Sequence, residues 1–302
     1  MIAAVVLNYR TSESTIEAVL ALRESTVPVD LIVVVDNASN DGSVERLRTA
    51  LKEPTLMVAD ANGGFSAGCN LGIREALAQG AHRVLLLNAD VTVAADMVER
   101  LTAAMTIRPT CGIAGPMLLR ADAEDLIEST GIRYSSTSGR MRHDDFGAQA
   151  HRVPRIAAKP VDGVSGCAML ISRQVFDRVG GLADEFFFGF EDLDFCLRAK
   201  REGFEVLCIP EARAWHTGSA SIGRDSPARL YFAARNHLLL ASRSSLRPGA
   251  GSLVRAPFVV LLNVAHAVAQ HDVPRVRALR ATLRGVADHV RRRYGPPPDD
   301  LA

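Results

Sequence analysis

The sequence lacks the cysteine patterns that build zinc sites or disulfide frameworks. Its five cysteines stand far apart, and no two of them form a CxxC pair. A zinc knuckle and a disulfide-stapled scaffold are therefore not indicated. An odd number of scattered cysteines is typical of a reducing compartment, so we expect a cytoplasmic protein.

Signals for export, for membrane spanning and for nucleic-acid binding are also missing. No basic stretch with a cleavage site precedes the strand-like run Ile2–Leu7, so we expect no signal peptide. The apolar run Ala256–Ala269 contains Asn263 and His266 and is too short to span a bilayer. The 35 Lys and Arg residues nearly balance the 34 Asp and Glu residues, which argues against a nucleic-acid partner.

Short apolar runs alternate with helical patterns through the first 120 residues. Runs rich in Val, Ile and Leu without in–out alternation are typical of strands buried on both faces. These runs are Ile2–Leu7, Leu31–Val35, Leu56–Val58, Val84–Leu87 and Ile113–Gly115. The helical patterns between them are Glu13–Arg23, Ser43–Leu51, Ala67–Ala78 and Ala95–Ile107. The alternation predicts an α/β fold with a mainly parallel sheet flanked by helices.

The remaining chain divides into segments of different character. Residues 120–160 are polar and irregular, which predicts an excursion or a mobile loop. A helical pattern follows from about Pro227 to Tyr294, and the Pro-rich tail Gly295–Ala302 is expected to fray. We therefore expect a catalytic domain at 1–225, with a nucleotide-binding half at 1–120 and an acceptor half at 121–225. A helical extension would occupy 226–302.

Polar residues follow the predicted strands, where ligands of parallel sheets bind. The segments are Asn8-Tyr9-Arg10, Asp36 to Ser43, Asn62 to Phe65, and Asn88-Ala89-Asp90. Each segment alone is also typical of an ordinary turn. Because the carboxyl ends of parallel strands meet at one edge, we expect the four segments to converge.

Asn88-Ala89-Asp90 is a candidate cation site. Side chains separated by one residue point the same way from an extended backbone. A hard divalent cation prefers carboxylate and phosphate oxygens, and Asp90 supplies a carboxylate. Asn88 is neutral, so this pair is weaker than two aspartates. The alternative is a cap for the helix that follows.

The next two segments suggest contacts with a nucleoside. Asp36 ends a buried strand, and its carboxylate can accept hydrogen bonds from a base or a ribose, whereas Asp41 or Ser43 can cap the following helix. Gly64, Gly68 and a third glycine four residues later would form one smooth helix face for close packing or close ligand approach. A dinucleotide fingerprint is not indicated, because GxGxxG should follow the first strand, and the P-loop pattern is absent.

The window Gly180 to Arg198 is the most specific signal. Phe187, Phe188 and Phe190 can build an apolar wall beside Glu191 and Asp192 at the start of an amphipathic helix. An apolar wall raises the pKa of a carboxyl group, as a general base requires. The alternative is that the acids only complement the helix dipole. Arg198 would pair with one of the acids or with phosphate.

His216 closes the run Pro210 to His216 and is a second candidate cation ligand. An imidazole can complete a cation site or contact diphosphate oxygens. A lone histidine is also often structural, so both readings stay open.

These segments, in this order, resemble glycosyltransferase family 2, particularly its bacterial rhamnosyltransferase-like members. The resemblance covers about residues 1–220. It implies a GT-A fold, inversion at the anomeric carbon and a divalent cation, Mg²⁺ or Mn²⁺. It also implies a nucleotide-diphosphate sugar donor, with rhamnose on thymidine diphosphate as the leading candidate, and a saccharide or lipid-linked acceptor.

The resemblance also assigns roles to individual residues. Asp192 is the expected base, with Glu191 beside it, and Asp90 and His216 are the expected metal contacts. The donor-binding residues are expected to be Asn8, Tyr9, Arg10, Asp36, Asn37, Ser39, Asn62, Gly63, Gly64, Phe65, Asn70, Asn88, Ala89, Asp90 and Arg198. Asn88 departs from the family's DxD-type motif, which begins with Asp, so metal dependence is expected to be looser.

The C-terminal segment resembles a basic amphipathic helix. Val276, Leu279, Leu283, Val286 and Val290 recur at helical spacing, and several arginines fall on other faces. Such a helix suits anionic lipid headgroups, which would place the enzyme peripherally at the inner face of the cytoplasmic membrane. The alternatives are packing on the catalytic domain or in a homodimer.

Two other functions compete with sugar transfer. A nucleotidyltransferase also uses a parallel sheet and acids on a cation, but it normally carries a Gly-rich loop after strand one. A catalytically inactive sugar-nucleotide-binding protein is the second alternative. The presence of both Glu191 and Asp192 argues against it.

Overall fold

The computed structural model describes residues 1–52, 54–154, 158–218, 226–244, 250–270 and 272–301. The N-terminal elements are β1 (Ile2–Asn8), α1 (Ser12–Arg23), β2 (Leu31–Asp36), α2 (Ser43–Ala50), β3 (Thr55–Val58), α3 (Gly64–Ala78), β4 (Arg83–Asn88), β5 (Val91–Val93), α4 (Met97–Ile107) and β6 (Cys111–Arg120). They are followed by β7 (Ala123–Ser129), β8 (Ile132–Tyr134), β9 (Met141–His143), β10 (Lys159–Pro160), β11 (Ala168–Ser172), α5 (Arg173–Val179), α6 (Glu191–Arg201) and β12 (Glu205–His216). The C-terminal helices are α7 (Pro227–Arg243), α8 (Ala250–Ala269) and α9 (Arg275–Val290).

The main sheet has the order β10-β12-β6-β11-β4-β1-β2-β3, with β5 beside β12 and β7 beside β6. Strand β1 pairs in parallel with β2 and β4, β2 with β3, and β6 with β12. Strand β11 runs antiparallel between β4 and β6, so the strands on either side of it share one direction. The predicted mainly parallel α/β fold is confirmed.

Helices cover both faces of this sheet. On one face, Val19 and Leu101 of α1 and α4 pack on Leu85 of β4. On the other face, Ile73 of α3 and Phe195 of α6 join the opposite side of the same strands. Strands buried on both faces explain why the sequence shows continuous apolar runs.

Helix α3 approaches β1 unusually closely. A Cβ atom on Gly72 would lie 2.4 Å from Cγ1 of Val5, so only glycine allows this contact. The close approach places the first residue of α3, Gly64, near the carboxyl edge of the sheet. Strands β1, β2 and β4 all end in a polar residue at that edge, and β12 ends there in His216.

The prediction of an irregular segment at 120–160 was wrong for much of its described part. Strand β7 forms an antiparallel pair with β6, and β8 pairs with β9. The three-residue strands β8 and β9 are too short to leave a periodic pattern in the sequence.

The expected fraying of the tail was also wrong for the described residues 295–301. Leu301 is only 7% exposed and belongs to a cluster with Tyr231 and Phe232 of α7. The same cluster contains Phe187, so the C-terminal helices pack against the segment before α6.

Helix α9 packs inward through small residues rather than through its larger apolar ones. Ala278, Ala281 and Gly285 are buried, and a Cβ atom on Gly285 would lie 2.3 Å from the carbonyl oxygen of Tyr231. Val276, Leu283 and Val290, which belong to the predicted apolar face, are instead 79%, 56% and 74% exposed. Among the described helices, none is long and apolar enough to cross a bilayer.

Candidate active site

A cavity of about 560 Å³ opens at the carboxyl edge of the sheet. Most of the predicted site residues line it. They are Tyr9, Arg10, Asn37, Asn62, Gly64, Phe65, Asn88, Ala89, Asp90, Glu191, Asp192 and His216. Residues from all four strand-end segments therefore lie around the same cavity, as predicted.

Three predicted donor residues lie behind the cavity wall. Asn8, Asp36 and Ser39 are at most 1% exposed. The Asn8 amide donates to the Asp36 carboxylate at 2.6 Å, and Ser39 donates to the same carboxylate from its backbone N–H and its hydroxyl. Ser39 Oγ also accepts the backbone N–H of Arg10 at 2.9 Å. This network fixes the loops that present Arg10 and Asn37, and a direct donor contact by the three residues stays a prediction.

Asn70 and Arg198 also lie outside the lining residues. Asn70 donates to the Leu182 carbonyl at 2.8 Å and accepts the Leu182 backbone N–H at 2.9 Å. Arg198 donates to Asp194 at 2.8 Å and to the carbonyl of Val179 at 2.9 Å. Both side chains therefore hold the loop between α5 and α6. Their predicted contact with the donor stays a prediction.

One end of the cavity is formed by amide groups. Asn37 Nδ2 donates to Asn62 Oδ1 and to the Gly64 carbonyl, each at 3.0 Å, and Asn62 Oδ1 also accepts the Gly64 N–H. Gly63, the residue before α3, sits between these groups without lining the cavity. Within the described ranges, Asn37 Oδ1 is buried without a hydrogen-bond partner, which leaves an acceptor for a ligand N–H or hydroxyl.

Asp90 and His216 come together because of strand pairing. Strand β5 runs antiparallel to β12 with Val91 opposite His216, which brings His216 Nε2 to 3.4 Å from Asp90 Oδ2. On the other side of the ring, His216 Nδ1 lies 2.9 Å from both carboxylate oxygens of Glu128. A carboxylate on one nitrogen fixes the ring so that the other nitrogen can face a cation.

These side chains suit a divalent cation only in part. Asp90 offers a carboxylate, His216 an imidazole, and Asn88 Oδ1 is buried without a partner among the described residues. The part of the chain that the structure describes holds no group of three or more His, Cys, Asp or Glu residues that could bind a metal by itself. The donor set therefore fits a cation whose remaining ligands are diphosphate oxygens and water.

Glu128 was missed by the sequence reasoning. It lies on β7, inside the segment that was predicted to be irregular. Burial opposes the charged form of His216, but Cys167, Asp90 and Glu128 together raise the pKa of the His216 ring well above its ordinary value, so a cation must displace the proton on Nε2 before His216 can bind it. Cys167 Sγ lies 3.7 Å from His216 Nε2 and also lines the cavity.

The two acids at the start of α6 have different surroundings. Glu191 is 6% exposed, and its Oε2 has no hydrogen-bond partner within the described part of the chain. Asp192 accepts backbone N–H groups from Gly166 at 2.9 Å and from Leu193 at 2.7 Å. Burial and the neighbouring Asp192 raise the pKa of Glu191 to about 8.

Burial also raises the pKa of Asp192, while the backbone N–H groups act in the opposite direction. Hydrogen bonds to the ionised form favour it, and Glu191 Oε2 has none among the described residues, so Asp192 is the acid of the pair that ionises more readily.

The segment before α6 turns the acids toward the cavity. Phe187, Gly189 and Phe190 have φ angles of 60°, 82° and 75°, all in the left-handed region. The Phe187 carbonyl accepts the backbone N–H of Phe65 at 2.6 Å, which joins this segment to the first turn of α3. A Cβ atom on Gly64 would lie 2.4 Å from the same carbonyl oxygen.

Other lining residues carry no sequence motif. Ser165, Gly166 and Cys167 precede β11, and Phe232, Pro296 and Pro297 come from the C-terminal extension. Nothing in their local pattern distinguishes them from ordinary loop or helix residues. Only the packing of the extension on Phe187 brings its residues to the cavity.

The chain matches known proteins over most of its length. The model of the family described as "Glycosyltransferase like family 2" matches residues 2–238. A low-salt glycan biosynthesis hexosyltransferase, Agl10 of Haloferax volcanii, is 25% identical over 299 residues, covering 97% of this chain and 92% of the relative. The dTDP-rhamnosyl transferase RfbF of Shigella flexneri is 25% identical over 272 residues, or 85% and 87% of the two chains.

A third relative and a solved structure extend the comparison. The N-acetylglucosaminyl-diphospho-decaprenol L-rhamnosyltransferase of Mycobacterium tuberculosis is 26% identical over 233 residues, covering 71% of this chain and 75% of the relative. A mannosyltransferase of Pyrobaculum calidifontis, solved with GDP-mannose and Mn²⁺, superposes with a TM-score of 0.61 at 16% identity. The superposition covers 96% of this chain and 86% of that one, and it supports the GT-A fold.

Proposed function

We propose a specific donor for this chain, which belongs to glycosyltransferase family 2. It moves rhamnose from thymidine diphosphate to a saccharide or lipid-linked acceptor, with inversion. The chain is a glycosyltransferase of the GT-A fold, and its relatives act in sugar transfer. The observation that carries the proposed transfer is that Asp90, His216, Glu191 and Asp192 all line the same cavity.

The donor would lie along the cavity from the amide groups to Asp90. Asn37 Oδ1 would accept a hydrogen bond from the nucleoside, and Asp90 and His216 would lie beside the diphosphate. A divalent cation held there supplies Lewis-acid stabilisation of the charge that grows on the leaving diphosphate. The dTDP-rhamnosyl relative supports a thymidine donor, and the decaprenol-linked relative supports a lipid-linked acceptor.

Asp192 is the proposed base. The acceptor hydroxyl attacks the anomeric carbon from the face opposite the diphosphate, the glycosidic bond to phosphate breaks, and the proton moves to an oxygen of Asp192. Asp192 suits this role because two backbone N–H groups favour its ionised form, whereas burial and Asp192 itself raise the pKa of Glu191 to about 8. A single displacement of this kind needs no covalent nucleophile.

Titration of the protein with nucleoside diphosphates tests the donor proposal. We expect dTDP to bind in the micromolar range with Mn²⁺ or Mg²⁺, and at least about 10-fold more tightly than UDP or GDP. The Asp90→Ala variant should lose about 10-fold or more of this affinity, because one cation ligand is removed. Isothermal titration calorimetry measures all three diphosphates with and without metal.

Asp125→Ala is the matched control for Asp90→Ala. Asp125 lies on β7 outside the cavity lining, and its half-exposed carboxylate pairs with His151. It should bind dTDP like the wild type. Tighter binding of UDP or GDP would reassign the donor. Failure of all three diphosphates to bind would overturn the proposed function.

We further propose that the exposed face of α9 contacts an anionic membrane surface at the cytoplasmic side. Val276, Leu283 and Val290 recur at seven-residue spacing, so they lie on one face of the helix, and all three are exposed. Arginines of the same helix, such as Arg277, are exposed beside them. Apolar side chains flanked by arginines match a bilayer surface that carries negative headgroups.

Vesicle flotation tests this contact. We expect the wild type to float with vesicles that contain phosphatidylglycerol and to stay behind with phosphatidylcholine alone. The triple change Val276→Ser, Leu283→Ser and Val290→Ser should lower the bound fraction by about 10-fold, because inserted apolar area is lost. The control Ile107→Ser removes an equally exposed apolar side chain from α4.

Two results would contradict the membrane proposal. One is equal flotation of the wild type and the triple variant. The other is a wild-type dimer in sedimentation that dissociates in the triple variant, which would assign the face to a second copy of the chain.

A further inference from the structure

Arg235 and Asn236 are polar side chains with no exposure to solvent. Both lie on α7, in the C-terminal extension, and both are 0% exposed. Burial of a guanidinium and an amide is costly unless their donors are satisfied. Their hydrogen-bond partners therefore show what these two residues hold.

Asn236 donates only to backbone carbonyls of the segment that precedes α6. Its Nδ2 lies 2.8 Å from the carbonyl oxygens of Phe186 and Phe188 and 3.0 Å from that of Gly189. Three carbonyls converge on one amide because Phe186 ends a short 3-10 turn and residues 187–190 form neither helix nor strand. Buried carbonyls without a ladder partner need donors from elsewhere.

Arg235 binds the same segment and the tail. Its Nη2 donates to the Phe186 carbonyl at 2.8 Å, and its Nη1 donates to the Gly295 carbonyl at 2.8 Å. The guanidinium carbon lies 4.9 Å from the ring centre of Phe232 and 5.3 Å from that of Tyr231. These rings fix the orientation of the guanidinium group, and the guanidinium group in turn fixes the position of the Phe186 carbonyl.

The segment that they hold leads directly into the acid pair. Gly189 is two residues before Glu191, and Phe190 has a left-handed φ of 75° that aims the first turn of α6 at the cavity. The Phe187 carbonyl binds the backbone N–H of Phe65, so the segment also contacts the donor side of the cavity. A shift of this backbone would move the acid pair relative to the donor.

We propose that Arg235 and Asn236 are positioning residues that hold residues 186–189 and thereby set the place of Asp192 against the donor. The proposal rests on the proposed function, because it assumes that Asp192 is the base. It assigns to the C-terminal extension a part in sugar transfer, although neither residue touches the reacting atoms.

The Asn236→Leu variant tests the proposal, since leucine keeps the approximate shape and removes the donor. We expect kcat to fall by about 100-fold, as a misplacement of roughly 1 Å can cause, while the KM for the donor and the Kd for dTDP with Mn²⁺ stay within about 3-fold. Turnover is followed as release of the nucleoside diphosphate. A residue that only stabilised the fold would not change kcat in this selective way.

Val259→Ala is the control for general loss of stability. Val259 is 0% exposed on α8 and packs in a cluster with Leu238 and Ala241. Both variants are assayed below their melting temperatures, where each is folded by circular dichroism. If Asn236→Leu does not fold, Asn236→Ser replaces it, because serine keeps a single donor and adds no bulk.

The outcomes separate this proposal from the proposed function. If kcat of the Asn236 variant equals that of Val259→Ala, or if dTDP binding falls as much as kcat, the positioning role is overturned. The Asp192→Asn variant is measured in parallel, and full turnover by that variant would overturn the proposed base whatever the Asn236 result. A selective loss of kcat in the Asn236 variant and in Asp192→Asn supports the positioning role and the proposed base.

Discussion

The Asp192→Asn variant is expected to lose about 10³-fold in kcat while it binds dTDP and Mn²⁺ within about 3-fold of the wild type. General-base catalysis contributes on the order of 10²–10⁴-fold, and an amide cannot accept the proton of the acceptor hydroxyl. The oxygen of asparagine can still accept one of the two backbone N–H groups that Asp192 now accepts, from Gly166 and Leu193. The start of α6 should therefore keep its shape.

Donor consumption in the presence of acceptor measures the first effect, and calorimetry measures the second. Asp177→Asn on the half-exposed side of α5 is a control for the same chemical change away from the cavity, and it should leave kcat unchanged. Retention of more than about a tenth of the wild-type kcat by Asp192→Asn would remove Asp192 from the role of base. Loss of dTDP binding would instead assign Asp192 to the donor.

The sequence predicts the sheet and the rim of the cavity well, because both follow from local patterns. Buried parallel strands are continuous apolar runs, and each is followed by its polar residues, as at Asn88 and Asp90. The acids at the start of α6 were found for the same reason. Their neighbourhood in the chain is unusual in both charge and aromatic content.

The parts that the sequence did not predict depend on contacts between distant segments. Glu128 reaches His216 only because β7 pairs with β6, and the strand pattern of β7 is weak. The contact of Asp36 with a nucleoside stays a prediction, but a strand-end motif does not reveal that Asn8 and Ser39 donate hydrogen bonds to its carboxylate. The tail was predicted to fray because it is rich in proline. Composition does not show that Leu301 packs in a buried cluster with Phe232.

The Glu191→Gln variant should be more stable than the wild type at pH 9 and equally stable at pH 4. In the folded protein the pKa of Glu191 is raised to about 8, against an ordinary value of 4.5. The folded state therefore binds this proton more tightly than the unfolded state. The stabilisation is fully present below the unfolded pKa and is lost as pH rises from about 4.5 to about 8.

Above pH 8 the wild type must keep a buried charge beside Asp192, at a cost of a few kcal/mol. Glutamine has the same shape and carries no charge, so this penalty disappears. We expect the melting temperature at pH 9 to rise by about 5 °C, and the difference at pH 4 to be within about 1 °C. Thermal unfolding followed by circular dichroism at both pH values measures it.

Glu202→Gln makes the same chemical change at an exposed position at the end of α6 and should leave the melting temperature unchanged at both pH values. Equal stability of Glu191→Gln and the wild type at pH 9 would contradict a buried, protonated Glu191. It would also remove the physical reason for choosing Asp192 as the base, because both acids would then be ionised at neutral pH. A rise confined to high pH implies that the fold sacrifices stability at this position, as expected where two neighbouring carboxyl groups must differ in charge.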